Sequence, residues 1–395
     1  MSLRRRRRIL VDARTPVHYA MFAPVHRAME DDDRVRFSFI ASDEPAQAAA
    51  IFRDAGAEDA VIGPMAAALI KFDAYLTSDF TWTRLLHETC RIQMFHGVGG
   101  KYGFDAPTEP LDAWHRLFFV NRRRLNNCVA SGALDADSPA IRMIGMPKVD
   151  CLVDRSLSRD AVLRVLGLPA HRPTVLYAPT WSPASSLNLL GVALLKRLRQ
   201  LPVNIIVKLH DRSCDLRRQY SGGIDWPAML APYLSAGAAV LATEADICPY
   251  LAAADVMVTD HSSAGFEYLL LDRPLVRIHA PALITLANIH QDYVRMLAEV
   301  SDSTSGVEDT VAAIERALED PSARSATRRA VAADLFYEPG TATQRCADAL
   351  YEAIGLSPAV RTPNPEPRTQ NEPCTLHPEP RTPPHAPAPE LSCRP

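Results

Sequence analysis

Short β-rich apolar runs alternate with longer stretches of helical spacing along most of the chain. RILVDA, VRFSFIA, DAVIG, AYLTS, RIQMFHG and NCVASG are the candidate strands of the first half, and TVLYAPT, VNIIVKLH, AAVLATE, DVMVTD and LVRI those of the second. APVHRAMED, PAQAAAIFRDAG, GVALLKRLRQL and CPYLAAA carry the helical spacing between them. This alternation predicts βαβ units wound around mostly parallel sheets, an α/β fold. It breaks between about Met146 and Pro173, where a polar segment containing LSRDAVLRVLGLP separates the two series. We therefore expect a Rossmann-like domain over 1–150, a second over 151–355, and a cleft between them. From Leu356 onward prolines crowd, PEPRT occurs twice and apolar periodicity vanishes, so 356–395 is expected to be a disordered tail.

Ligands of doubly wound sheets bind beyond the carboxyl ends of the strands. Polar residues at those ends carry the candidate chemistry. In VMVTDHSSAGFEYLLLDRPLV (Val256 to Val276) a strand stops at Thr259 and a helix is expected to begin near Ala264. Ser262 or Ser263 can cap that helix, whose free N–H groups attract an anion, and Gly265 permits close approach. A plain N-cap is the bland alternative. His261 reads either as a cleft histidine or as a side chain packed behind the turn, the second being favoured.

In IQMFHGVGGKYGFD, His96 follows an apolar strand and Gly97, Gly99, Gly100, Lys101 and Gly103 follow it. A glycine loop can wrap a substrate, and an imidazole at its start can take a proton near neutral pH. The spacing fits neither a Walker loop nor a dinucleotide fingerprint. VNIIVKLHDRS repeats the pattern, with Lys208 and His210 on one side of a strand and His210 at its end. TVLYAPTWS ends a strand before Pro179, Thr180 and Trp181; Thr180 can face a phosphate, while Trp181 suits packing equally. TEADICPYL reads as a helix start capped by Thr243.

Composition narrows the picture further. A length of 395 residues with 47% hydrophobic content supports two cores, and a formal net charge of −3 excludes a global nucleic-acid-binding surface. Arginine clusters stand at Arg4 to Arg8 and Arg122 to Arg124. The cysteines show no spacing typical of metal sites and are expected to be reduced. No apolar run long enough to span a bilayer and no signal peptide is visible, which points to a soluble, cytoplasmic protein.

In this order, FHG at Phe95 to Gly97, YAPTW at Tyr177 to Trp181, LH at Leu209 to His210 and TDHSS at Thr259 to Ser263 resemble the WHG, YAPTW, HP and TDYSS segments of the CDP-glycerol glycerophosphotransferase family, the teichoic-acid primases and polymerases. The resemblance implies a GT-B-like pair of Rossmann-like domains. It also implies transfer of glycerol phosphate, or a related alcohol phosphate, from a CDP-activated donor to a hydroxyl acceptor, lipid-linked or glycan, with release of CMP. His96 would be the base and His210 the stabiliser of phosphoryl charge. Thr180, Thr259, Ser262 and Ser263 would hold the donor pyrophosphate, with loop contacts from Gly97 and Lys101. Neither a metal nor a further cofactor is implied, and Arg4 to Arg8 offer a peripheral contact with an anionic membrane. The departures are HGVGGK in place of HGTP, Asp211 in place of proline and His261 in place of tyrosine; they weigh on the substrate more than on the fold. The rival readings are a nucleotide-sugar enzyme of the same architecture, a glycosyltransferase or a UDP-GlcNAc 2-epimerase, and a non-catalytic relative.

Overall fold

The computed structural model describes residues 6–53, 60–79, 83–98, 100–102, 111–154, 156–235 and 237–358. Two parallel sheets organise them. The first contains β1 (Arg7–Asp12), β2 (Val35–Ile40), β3 (Ala74–Thr77), β4 (Cys90–Met94), β5 (Arg116–Phe119) and β6 (Ile141–Met143), in the order β2-β1-β3-β4-β5-β6. The second contains β7 (Thr174–Tyr177), β8 (Asn204–Lys208), β9 (Ala239–Ala242), β10 (Val256–Thr259), β11 (Leu275–Ile278) and β12 (Ser301–Thr304), in the order β12-β11-β10-β7-β8-β9. Helices between the strands cover both faces, which is why β3, β7, β8, β10 and β11 are buried along their whole length.

Strand order decides where a ligand can sit. In the second sheet the winding reverses between β7 and β10, so the segments after Tyr177 and Thr259 diverge and leave a crevice. In the first sheet it reverses between β1 and β3. Ser78 and Asp79 follow β3, and His96 follows the adjacent β4.

Several elements differ from the sequence reading. NCVASG, expected as a strand, closes the helix Arg122–Ala130, which is started by Asn121 Oδ1 accepting from the Arg124 N–H. The strand there is RLFF, an unbroken apolar run between β4 and β6. DAVIG supplies only an isolated bridge, Val61 to Phe39. β12 is the polar string SDST, paired through all four residues with β11 at a sheet edge. The helix at CPYLAAA spans Cys248–Ala253, and Asp246, not Thr243, bonds its first N–H at 2.9 Å. Of the tail expected at 356–395, the part from 359 lies outside the described residues.

The two sheets are joined by buried polar contacts. Lys148 Nζ donates to Glu267 Oε2 at 2.8 Å with both side chains almost fully buried. Asp150 accepts from the backbone N–H groups of Gly340, Ala342 and Thr343, and so caps the helix Ala342–Ala353. That helix returns to pack on the helix Pro16–Met29, where the Tyr351 hydroxyl donates to Asp32 at 2.8 Å. Gly145 sits so close to this junction that a Cβ there would lie 2.5 Å from the Tyr337 carbonyl, and its φ of +82° also requires glycine.

Candidate active site

The turn after β3 fixes His96. Its Nδ1 contacts the Ser78 carbonyl, and because a carbonyl only accepts, Nδ1 carries the proton and Nε2 keeps the lone pair. Burial lowers its pKa from the ordinary imidazole value, with Arg124 and Lys148 adding to the effect and Asp79 and the Ser78 carbonyl opposing it. His96 is therefore neutral and basic at Nε2 near pH 7. The loop behind it is held by Arg124, which lies 4.2 Å from the Phe95 ring centroid and donates to the Gly97 carbonyl at 3.0 Å. Asn121 adds a bond to the Val98 carbonyl at 2.9 Å and a second to Leu335 at 2.8 Å. The arginine run is thus internal: Arg122 packs on Tyr337, Arg123 pairs with Asp334, and Arg124 holds the loop.

His210 has the opposite tautomer. Its Nδ1 accepts from the Arg212 backbone N–H at 3.1 Å, so in the neutral ring the proton resides on Nε2. Burial, then the charges of Lys208, Arg212 and Lys101, lower its pKa to about 3. It stays a neutral donor across the working range. Lys208 precedes it but is buried, with Nζ donating to the Leu209 carbonyl. Trp181 lies between packing and site: its ring centroid is 6.2 Å from His210, and Arg212 stacks over it at 4.6 Å.

Asp260, absent from the residues singled out by sequence, organises the donor-side crevice. Fully buried, it accepts from the Thr180 N–H at 2.9 Å, the Ser186 N–H at 3.0 Å, the Ser186 hydroxyl at 2.9 Å and the His261 N–H at 2.6 Å. One carboxylate thereby locks the turns after β7 and β10 together. Its signal in the sequence was its place inside TDHSS. Thr180 Oγ1 is buried with no partner among the described residues. Ser263 is exposed and its hydroxyl does not cap the helix Ala264–Tyr268, while Ser262 Oγ accepts a long 3.4 Å bond from the Ala264 N–H. Thr259 faces inward, fully buried, and donates to the Ala178 carbonyl at 2.6 Å, so its hydroxyl serves the strand pair and not the crevice. Gly265 allows close packing on the protein itself, since a Cβ would meet Leu297 at 3.2 Å. His261 lies behind the turn, fully buried, with its pKa lowered to about 4 chiefly by burial.

Residues of the first domain's loop reach the second domain. The Lys101 carbonyl accepts from the His290 N–H at 2.9 Å, and Lys101 Nζ lies 5.9 Å from the Tyr293 ring centroid. Burial pulls the Lys101 pKa down to about 8, with Asp260 opposing. Gly99 and Gly103 of the same loop lie outside the described residues. Beside His96, the His18 ring stands at a centroid distance of 4.9 Å, and Asp79 bonds Arg14 at 2.9 Å. Ligand atoms of His18, Asp79 and His96 fall within 4.8 Å of one another, a set able to hold a divalent ion, although Arg14 already balances Asp79. Residues so distant in sequence gave no metal-spacing signal.

The profile of the family described as CDP-glycerol:poly(glycerophosphate) glycerophosphotransferase matches residues 25–352. The chain belongs to that family. Among characterised relatives, a teichoic acid poly(glycerol phosphate) polymerase of Staphylococcus epidermidis is 27% identical over 166 residues, 40% of this chain and 22% of that protein. The chain thus matches about a fifth of that relative's length. Among solved structures, a variant of the wall teichoic acid polymerase TagF aligns with a TM-score of 0.63 at 17% identity, covering 89% of each chain. A UDP-N-acetylglucosamine 2-epimerase from Listeria monocytogenes aligns with a TM-score of 0.56 at 13% identity, covering 88% of this chain and 96% of that one. Both likenesses are to the fold, the two facing Rossmann-like domains of the GT-B arrangement expected from the sequence.

Proposed function

We propose that this family member transfers glycerol phosphate, or a related alcohol phosphate, from a CDP-activated donor to the hydroxyl of a cell-surface polymer acceptor. The observation that carries this reading is the pair of complementary histidines, a basic Nε2 on His96 and a donating Nε2–H on His210, at strand ends of opposite domains. His96 takes the proton of the acceptor hydroxyl as its oxygen bonds to the phosphorus bearing glycerol. The bond from that phosphorus to the bridging oxygen breaks and CMP departs. His210 donates to the phosphoryl oxygens as charge moves onto them, a neutral donor in a dry site. Thr180 Oγ1, Ser262 and Ser263 line the pyrophosphate side, and Asp260 keeps their turns in register. These side chains carry the proton and charge movements of the step.

The test is calorimetric titration with CDP-glycerol, CMP and UDP-N-acetylglucosamine, followed by assay of CMP release on adding an acceptor. CDP-glycerol binding with CMP release supports the reading. Preference for the sugar nucleotide, or no nucleotide binding by folded protein, overturns it.

We further propose that the protein works at the inner face of an anionic membrane, without spanning it. Among the described residues no helix is long and apolar enough to cross a bilayer. Arg6, Arg8, Arg36 and Lys71 line a concavity of about 440 Å³ at the amino ends of β1 and β2. Arg4 and Arg5 lie outside the described residues. Each such cation gains on the order of 1 kcal/mol near anionic lipid.

A further inference from the structure

We infer that Arg212 and His18, from opposite domains, form a subsite for a phosphodiester on the acceptor, next to the hydroxyl that reacts. The inference rests on the transfer reading and assigns residues that the motifs leave without a role.

Arg212 is preorganised to hold an anion. Its guanidinium lies 4.6 Å from the Trp181 ring centroid and 5.1 Å from that of Tyr220, and those two rings meet edge to face at 5.5 Å. Stacking fixes the plane of the fork while leaving its edge N–H groups free, the geometry in which arginine grips phosphate bidentately. Among the described residues no carboxylate lies within ion-pair distance of it; Asp215, the nearby acid that senses its charge, is bound by Arg217 at 2.6 Å. A half-buried cation without a counter-ion calls for an anionic ligand.

His18 supplies the facing group. Its side chain is only 12% exposed, and Nδ1 is buried with no partner among the described residues, while Nε2 stands 4.0 Å from Asp79 Oδ2. Burial, then the charges of His96, Arg14, Arg212 and His210, hold it neutral. The influence of Arg212 and His210 also locates His18 on the wall that faces the donor domain. Tyr102, from the glycine loop, is likewise within reach of the Arg212 charge. A phosphodiester placed between them would accept from the Arg212 fork and from His18 Nδ1–H, once the added negative charge favours a proton on the ring and Asp79 holds Nε2–H. The position argues for the acceptor: His18 neighbours the base His96, whereas the pyrophosphate hydroxyls of Thr180 and Ser263 follow other strands.

The test compares glycerophosphoglycerol with glycerol as acceptors for wild type, Arg212→Gln and His18→Asn, measuring KM for donor and acceptor separately. We expect wild type to favour the phosphodiester acceptor at least tenfold in kcat/KM. Arg212→Gln should abolish that preference and leave donor KM within twofold, and Arg212→Lys should restore it only partly. Equal use of both acceptors by wild type would overturn the subsite, as would a raised donor KM with the preference intact. Calorimetric binding of glycerophosphoglycerol alone separates the subsite from the transfer reading. Binding that is lost in folded Arg212→Gln, judged by its unfolding transition, supports the subsite even without turnover; absence of binding to wild type rejects it.

Discussion

His96 and His210 illustrate how a single backbone contact sets the chemistry of a side chain. Both imidazoles are buried and neutral, yet one presents a lone pair and the other a proton because Nδ1 meets a carbonyl in the first case and an N–H in the second. His96→Gln, which keeps polarity and removes basicity, should lower kcat by about 10²–10⁴ with little change in donor affinity. A wild-type rate at saturating substrate would show that another group takes the proton. Because burial lowers the His96 pKa, the acid limb of the rate profile should lie below pH 6.5 and vanish in that variant. Stability has its own pH dependence. His26, pulled to about 4 by burial among Phe22, Phe37 and Phe39, and His261, also at about 4, refuse protons that the unfolded chain accepts near 6.5. The unfolded state thus binds more protons between those values, so stability is complete above about pH 6.5 and declines as pH falls toward 4. Thermal unfolding from pH 7 to pH 4 should show that decline, and His26→Leu should flatten part of the slope. The histidines at strand ends were legible in the sequence because an apolar strand points to them. Asp260 and His18 were not, because their importance lies in partners far away along the chain.

At the scale of elements, the parallel strands of the second half were read almost to the residue, since a strand covered on both faces is a short, unbroken apolar run. The first half was harder. NCVASG has the cysteine and valine of a strand, but the capping bond from Asn121 and the burial of Cys128 on one face make it the end of a helix. β12 escaped notice because an edge strand of serine, aspartate and threonine carries no apolar signal and is held by pairing alone. The helix Arg122–Ala130 also shows how an element serves a site it does not touch. Arg124→Met keeps much of the stem's bulk and removes the bond to the Gly97 carbonyl, leaving a buried acceptor unpaired. It should cost about 1–3 kcal/mol of stability in denaturant unfolding and lower kcat by loosening the His96 loop. Unchanged activity in a destabilised variant would assign Arg124 to the fold alone.

Across the whole molecule, the cleft is held by few but buried polar ties. Burial alone would lower the Lys148 pKa, but the Glu267 carboxylate outweighs it and holds the ammonium charged. Removing one partner by Lys148→Met should destabilise the protein by about 3–5 kcal/mol, whereas Lys148→Met with Glu267→Leu should recover most of the loss. A double variant as unstable as the single would mean that the pair sets the fit of the two domains beyond its charge. Replacing Gly145 by alanine should be comparably harmful, because both its φ and the nearby Tyr337 carbonyl forbid a side chain.

The return of the helix Ala342–Ala353 to the first domain has a consequence for synthesis. As the chain leaves the ribosome, the first sheet is complete once β6 has emerged, but the cover for the helix Pro16–Met29 is still about two hundred residues away, roughly 10–40 s at ordinary elongation rates. During that interval the newborn first domain presents an apolar face to a crowded cytosol. A nascent chain stalled shortly after residue 150 should therefore recruit holding chaperones, and should release them only when elongation passes Ala353.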